Sequence, residues 1–352
     1  MRRDTPNSNW PGIVAALVSA VLFGLVAPIS KLLVSSVDPV TLAGLLYAGA
    51  GIGTGVIALV SRWLQPVRAE AGLKRADLPW LASAVLLGGV AGPVLMVLGL
   101  KATSASSGSL LLNLEAVATM AIAWVVFREN VDRRLLLGAA AILAGALVVS
   151  FQGGMTFDGG GLLVAAACLC WGIDNNLTRN ISAADPLQIT AIKGLVAGAV
   201  NLSLAALLRA TWPDAACMTL AGLAGFVGIG LSLVLFVRAL RQLGAARTSA
   251  YYSVAPFVGA LAGLGLFGEP LTPQLVAAGV LMAFGVWLHV SERHVHEHVH
   301  PVLEHEHLHV HDIHHQHSHE GPVTVPHSHP HRHEPMRHSH PHYPDLHHRH
   351  DH

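Results

Sequence analysis

Long apolar runs alternate with short polar connections along the chain up to about residue 290. An α-helix needs about 20 mostly apolar residues to cross the hydrocarbon core of a bilayer. Ten runs meet this requirement: residues 12–34, 39–59, 79–100, 104–127, 133–151, 160–178, 187–208, 218–240, 246–267 and 272–290. The pattern therefore predicts an all-α membrane protein with ten transmembrane helices. The first run is long enough to span, so we expect an uncleaved helix and not a signal peptide.

Basic residues are distributed unevenly among the connections. With the amino terminus in the cytoplasm, fourteen Lys and Arg lie on the cytoplasmic side before the distal tail. Only Lys31, Lys101 and Arg209 lie outside, and Lys193 falls within a span. An excess of Lys and Arg is typical of cytoplasmic loops. We therefore expect a multi-pass protein of a bacterial inner membrane with both termini in the cytoplasm.

The two halves of the apolar body repeat one another. A shift of 140 residues places Glu129 on Glu269, and a shift of 148 places Lys31 on Arg179. Because each half has five spans, an odd number, the second copy enters the membrane from the opposite side. Many transporters use such an inverted repeat to form a substrate site between their halves. The predicted domains are two five-helix repeats at residues 1–155 and 156–290 and a tail at 291–352.

One motif occurs in both halves and resembles that of a known family. A Phe-x-Glu segment, at residues 127–129 and again at 267–269, follows an apolar helix and precedes a helix rich in Gly and Ala. With this layout the body, about residues 12–290, resembles the EamA group of the drug/metabolite transporter superfamily. The resemblance implies secondary transport of a small metabolite, coupled to protons or by exchange. Pro256 fits the group, whereas Glu115 stands in the corresponding segment of the first half.

Polar side chains inside the spans are candidates for the transport pathway. A charge at the centre of a span costs roughly 2.5–3.5 kcal/mol to insert and usually faces a cavity or a partner. Glu115, halfway along the fourth span, is favoured as a proton-coupling or substrate-binding carboxylate, with a structural ion pair or a neutral carboxyl as the alternative. The candidate substrate or coupling residues are Glu115, Asn113, Asp174, Asn175, Lys193, Tyr251 and Tyr252.

Several of these assignments stay open at this point. Lys193 is a counter-charge to either Asp174 or Glu115, and the polar cluster at residues 174–176 lines the pathway or marks the end of a helix. Tyr251 and Tyr252 bind substrate or anchor the helix at the interface.

Three further charged residues, all near helix ends, have structural expectations. Lys31 is expected to extend its ammonium toward the membrane surface. Glu129 and Glu269 are each expected to interact with the amino-terminal amides of the helix that follows.

The tail has a different composition from the body. All 24 histidines lie between residues 289 and 352, mostly as His-x-His. Frequent prolines exclude long helices, so we expect a tail without regular structure in the absence of a ligand. Neutral imidazoles suit zinc, nickel, cobalt and cupric copper. The candidate metal ligands are His294, His296, His298, His300, His305, His307, His309, His311, His327, His329, His331, His347, His348 and His350. The alternative is a low-complexity or pH-responsive tail.

Three functions are compatible with this organisation. The first is a carrier of a small organic metabolite with an accessory metal-binding tail. The second is a transporter of divalent metals such as nickel, cobalt or zinc, and the third is a metal-buffering membrane protein. We expect no enzymatic activity and no cofactor for the body, with zinc, nickel, cobalt or copper on the tail. The expected partners are membrane lipid, a small-molecule substrate and transition-metal ions; a homodimer is left open and nucleic acid is excluded.

Overall fold

The computed structural model describes residues 10–64, 72–127, 133–150, 159–181, 184–243, 251–290, 295–300, 303–309, 327–333 and 336–341. Up to residue 290 the described chain forms ten apolar helices. They are α1 (Trp10–Leu33), α2 (Pro39–Leu64), α3 (Arg75–Ala102), α4 (Ala105–Val126), α5 (Arg133–Ser150), α6 (Gly159–Thr178), α7 (Pro186–Leu207), α8 (Ala215–Ala239), α9 (Ala255–Phe267) and α10 (Pro273–Leu288).

Eight of these described helices, α1 to α8, are long and apolar enough to cross a membrane. The expectation of a helical, multi-pass membrane body is thereby confirmed. Helices α9 and α10 are apolar but shorter. The 13 residues of α9 rise about 20 Å, less than the hydrocarbon thickness. Residues 246–250, which the sequence places in the ninth span, lie outside the described residues.

Four of the described helices are irregular, and the irregularities of α3 and α8 correspond between the two parts of the chain. A turn at Leu25 divides α1, and residues 112–113 divide α4 into Ala105–Leu111 and Leu114–Phe127. Helix α3 widens into a π-helical segment, Val85–Ala91, and α8 does the same at Phe226–Leu231. Such π segments within α-helices often occur at functional sites.

Pro93 follows the π-helical segment of α3. Proline has no N–H, so the carbonyl oxygens of Gly88 and Gly89, five and four residues earlier, do not receive a backbone donor from this position. The N–H of Gly92 bonds to the Leu87 oxygen, five residues back. The segment therefore leaves backbone acceptors available for side chains of neighbouring helices.

The main helix contacts recur when each helix is exchanged with the helix five places along. Helix α2 packs on α7, α4 on α9 and α5 on α10. Helix α3 packs on α6 and α7 as α8 packs on α1 and α2, and the contact of α4 with α6 matches that of α9 with α1. Helices α2 and α7 approach so closely that a Cβ on Gly194 would lie 2.6 Å from the Cα of Gly51. Small residues allow such close approach in membranes.

Four short strands lie in the tail, namely β1 (Val295–His300), β2 (Leu303–His309), β3 (His327–His333) and β4 (Met336–Pro341). Strand β1 pairs antiparallel with β4, and β2 with β3. A sequence repeat of two residues suits a strand. The expectation of a tail largely without regular structure stays a prediction. In a two-stranded ribbon every strand is an edge strand, where proline is tolerated. His294, His311, His347, His348 and His350 lie outside the described residues.

Candidate functional site

A cavity of about 130 Å³ lies between helices from both parts of the body. Helices α1, α2, α3, α4, α6, α7 and α8, together with residue 252, form its wall. An apolar cavity of about 150 Å³ holds benzene, so a solute of similar size fits this one. Its wall combines aromatic rings with polar groups: Phe23, Tyr47, Trp171 and Tyr252, and Glu115, Asp174, Asn175, Thr190, Lys193 and Ser232.

An ion pair joins α6 to α7 in this wall. The Lys193 ammonium donates to both carboxylate oxygens of Asp174, at 2.6 and 2.5 Å. The side chains of Lys193 and Asp174 are 12% and 7% exposed. The Thr178 hydroxyl donates a further hydrogen bond to Asp174, at 2.9 Å. Of the two partners that the sequence left open for Lys193, the structure therefore selects Asp174.

The π-helical segment of α3 makes room for this ion pair. A Cβ on Gly88 would overlap the Asp174 carboxylate, so only glycine fits there. The Gly88 carbonyl accepts hydrogen bonds from Tyr47 Oη at 2.7 Å and from Trp171 Nε1 at 3.0 Å. Asn201 Nδ2 donates to the Gly89 carbonyl at 3.1 Å. Side chains from α2, α6 and α7 thus satisfy the acceptors that Pro93 leaves without its N–H.

Glu115 lies in the first turn of the second segment of α4. The interruption at residues 112–113 therefore places its carboxylate at a helix amino terminus, where the macrodipole stabilises negative charge. Asn175 Nδ2 donates to Glu115 Oε1 at 2.8 Å and to the Thr119 hydroxyl at 3.3 Å. Among the described residues, the carboxylate is thus bonded to a neutral partner, unlike Asp174.

Thr190 is a polar group of the cavity wall that sequence reasoning missed. It lies one helical turn before Lys193 on α7 and is 3% exposed. Its hydroxyl has no hydrogen-bond partner among the described residues. Buried hydroxyls are normally bonded. The Thr190 hydroxyl is therefore available for a hydrogen bond with a solute in the cavity.

Five of the seven residues that the sequence proposed line the cavity: Glu115, Asp174, Asn175, Lys193 and Tyr252. The other two lie elsewhere. Asn113 donates to the Leu110 carbonyl at 2.9 Å and contacts the sulfur of Met282 on α10 at 3.8 Å. Tyr251 packs against Ala16 and Ala239. Tyr47, Trp171 and Ser232 are further wall residues that the sequence did not single out; their polar groups have no charge to make them conspicuous.

Two charged residues outside the cavity bind helix ends. Lys31 donates to the carbonyls of Leu100 and Thr103, at 2.5 and 2.6 Å, at the carboxyl end of α3. Glu269 accepts hydrogen bonds from the backbone N–H groups of Ala105 and Ser106, at 2.7 and 3.0 Å, and from the Ser106 hydroxyl. The sequence had led us to expect that Glu269 would interact with the start of the following helix, α10. Its carboxylate instead binds the start of α4. Glu129 lies outside the described residues.

A metal centre is not evident in the part of the chain that the structure describes, where no group of three His, Cys, Asp or Glu could hold an ion. Cys168, Cys170 and Cys217 are free thiols. The polar groups of the cavity are instead carboxylates, an ammonium, amides and hydroxyls on membrane helices, a combination suited to a small polar solute.

A multi-pass helical body around a cavity that contains buried ionisable groups is the architecture of a membrane transporter. The model of the EamA-like transporter family matches residues 10–151 and, separately, residues 159–291. The chain belongs to the EamA-like transporter family, as its sequence motifs indicated. This is a family of transporters and not of enzymes.

Relatives with similar sequences include two proteins named as uncharacterized transporters. An uncharacterized transporter of Methanothermobacter thermautotrophicus is 28% identical over 293 residues, which cover 79% of this chain and 85% of the relative. The uncharacterized transporter YyaM of Bacillus subtilis is 25% identical over 232 residues, covering 61% of this chain and 75% of the relative. A crystal structure with 17% identity superposes with a TM-score of 0.59 over 79% of this chain and 94% of its own, which supports the fold.

Proposed function

We propose that the protein is a secondary transporter that moves a small metabolite across the inner membrane by alternating access, coupled to protons or by exchange. The observation that carries this proposal is the cavity, in which Glu115, Asp174 and Lys193 come together from three helices. Ionisable groups inside a membrane protein are costly and typically mark a substrate or proton pathway. Glu115 is the proposed coupling or binding carboxylate.

An inverted repeat provides the proposed basis for alternating access. The matched helix contacts, the corresponding π segments of α3 and α8, and the two separate family matches support repeats at residues 1–155 and 156–290. Five helices per repeat give the two repeats opposite orientations in the bilayer. Rocking of one repeat against the other would expose the cavity alternately. The basic connections favour cytoplasmic termini.

The proposal predicts that the cavity is reachable from both sides of the membrane. In a variant with Cys168, Cys170 and Cys217 replaced by Ala, we expect Leu233→Cys to react with a small membrane-impermeant methanethiosulfonate. Labelling should occur in right-side-out and in inside-out vesicles, because Leu233 lines the cavity. Mass spectrometry of the labelled chain measures the reaction, and no transported substrate is needed.

The matched control is Val56→Cys on α2 in the same background. Val56 is exposed on the surface of the apolar body, where lipid and not water surrounds it. Methanethiosulfonates react in water, so this cysteine should stay unlabelled in both vesicle preparations. Labelling of Leu233→Cys from one side only, under all conditions, would contradict alternating access.

Binding of transition metal by the tail is a second element of the proposal. The strand register supports it, because His305, His307 and His309 of β2 stand opposite His331, His329 and His327 of β3. On β1 and β4 the register pairs His296 with His340 and His298 with His338. Residues two apart share one face of a strand. Neutral imidazoles are ligands that zinc, nickel, cobalt and cupric copper accept.

We expect the full chain in detergent to bind several Zn²⁺ or Ni²⁺ ions at neutral pH, and a truncation after residue 290 to bind far fewer. Acidification should release them, because imidazole must be deprotonated to bind metal. Isothermal titration calorimetry of both proteins measures the stoichiometry. Equal stoichiometry in the two proteins would rule out the tail as the metal-binding segment.

A divalent-metal carrier receives less support from the cavity. All 24 histidines lie at residue 289 or later, so the cavity wall has none. Of its two carboxylates, that of Asp174 is already paired with Lys193. A transition metal prefers imidazole or thiolate ligands, which leaves the small organic metabolite as the favoured substrate.

A further inference from the structure

The charges that line the cavity do not balance. Asp174 and Lys193 neutralise each other through their ion pair. Glu115 is the remaining charged residue of the wall, among the residues that the structure describes, and it is bonded to the neutral amide of Asn175. An uncompensated charge in a poorly hydrated site is unfavourable. An ionised Glu115 is therefore best satisfied by one positive charge on the solute.

Aromatic rings surround the same space. Phe23, Tyr47, Trp171 and Tyr252 all line the cavity, and the rings of Phe23 and Tyr252 are 5.6 Å apart between centroids. The polar atoms of Tyr47 and Trp171 are bonded to the Gly88 carbonyl, as described above. Aromatic faces attract organic cations, with greater strength where water is excluded.

The wall also offers a neutral hydrogen-bonding group. The Thr190 hydroxyl is buried at the cavity and lacks a partner among the described residues. As a hydroxyl it can accept from an N–H donor of the solute. Lys193, by contrast, is engaged by both oxygens of Asp174, so it is not available to a carboxylate on the solute.

We propose that the cavity binds a small organic ammonium ion of about the size of benzene, with Glu115 as its counter-charge and Thr190 as a hydrogen-bond acceptor. The inference rests on the proposed transport function and names its substrate class. The titratable or charged groups facing the ion are Glu115, Asp174, Lys193, Tyr47 and Tyr252. Anions and zwitterions are disfavoured, because each needs a cation that the wall does not leave free.

Four compounds built on one ring test this inference. Cyclohexylammonium, cyclohexanol, cyclohexanecarboxylate and 1-aminocyclohexanecarboxylic acid share a cyclohexane ring and carry a positive, zero, negative and zwitterionic charge. We expect the full chain in detergent at neutral pH to bind cyclohexylammonium at least about tenfold more tightly than the other three, by calorimetric titration. Stronger or equal binding of any other member, or no binding of cyclohexylammonium at millimolar concentration, would overturn the assignment.

Two near-isosteric variants locate the binding. Glu115→Gln keeps an acceptor for Asn175 and should weaken cyclohexylammonium binding about tenfold to a hundredfold. Thr190→Val should weaken it by a smaller factor. Thr41→Val is the matched control, because Thr41 is also buried and its hydroxyl has no partner within the described part of the chain, but it does not belong to the cavity wall. Unchanged affinity in Glu115→Gln, or an equal loss in Thr41→Val, would contradict the assigned site.

The vesicle labelling of Leu233→Cys separates this inference from the proposed function. Labelling from both sides together with failure of the ammonium series would leave the carrier intact and refute the substrate class. Labelling from one side only would refute alternating access, whichever ring compound binds.

Discussion

Asp174→Asn is expected to be among the most destabilising single substitutions in the cavity wall. It leaves the Lys193 ammonium, 12% exposed, without its carboxylate partner. Removal of one member of a buried ion pair typically costs about 3–5 kcal/mol, because the remaining charge is uncompensated. The Thr178 hydroxyl would also lose its charged acceptor. Thermal unfolding of the purified protein in detergent should show a clearly lowered midpoint.

The second partner supplies the control for this prediction. Lys193→Met in the Asp174→Asn background removes the unpaired charge and should restore much of the lost stability. Replacement of a whole buried ion pair by groups without charge is often neutral. The double variant should nevertheless bind cyclohexylammonium more weakly, because the ion pair forms part of the cavity wall. A single Asp174→Asn variant as stable as the parent, or a double variant less stable than either single one, would contradict the buried ion pair.

Much of the cavity wall could be predicted from the sequence, because charges inside apolar spans are conspicuous. Three charged residues interrupt apolar spans, where a charge is costly: Glu115, Asp174 and Lys193. All three line the cavity. Their pairing could not be predicted, since it depends on how α4, α6 and α7 rotate against each other.

The two candidates that lie elsewhere show how helix geometry limits such predictions. Asn113 lies in the interruption of α4, where its side chain bonds to the Leu110 carbonyl, whereas Glu115 lies in the helical segment that follows. Adjacent Tyr251 and Tyr252 differ by about 100°, and only Tyr252 lines the cavity. Polarity had selected the correct region, whereas the face of the helix decides which side chain enters the cavity.

Uncharged wall residues carry no comparable signal in a single sequence. Tyr47 and Trp171 matter because the Gly88 carbonyl, left without a donor by Pro93, lies within their reach. This relation joins three helices and depends on the π-helical segment of α3. The same applies to Gly88, whose missing Cβ gives room to Asp174. In the tail, the two-residue histidine repeat is compatible with strands, but the prolines had favoured an irregular chain.

Glu269 links the α9–α10 connection to the helix that carries Glu115. Its carboxylate binds two backbone N–H groups and one hydroxyl at the start of α4, while Lys31 binds the carbonyls at the end of the preceding α3. Each charge has the sign that favours its helix end. The short connection between α3 and α4 is thus held from both sides, which positions α4 against elements of the second half.

Glu269→Ala should therefore reduce the stability of the protein by about 2–3 kcal/mol, because the three donors at the start of α4 lose a charged acceptor. Asp214 provides a matched control at the start of α8, where the Cys217 N–H, at 2.8 Å, holds the pKa of the Asp214 carboxyl below its ordinary value. An exposed cap that accepts from one amide contributes less than a carboxylate that accepts from three donors. In detergent, the midpoint of thermal unfolding should be lower for Glu269→Ala than for Asp214→Ala. The midpoint for Glu269→Gln should lie between those of Glu269→Ala and the parent. The reverse order would show that Glu269 does not anchor α4.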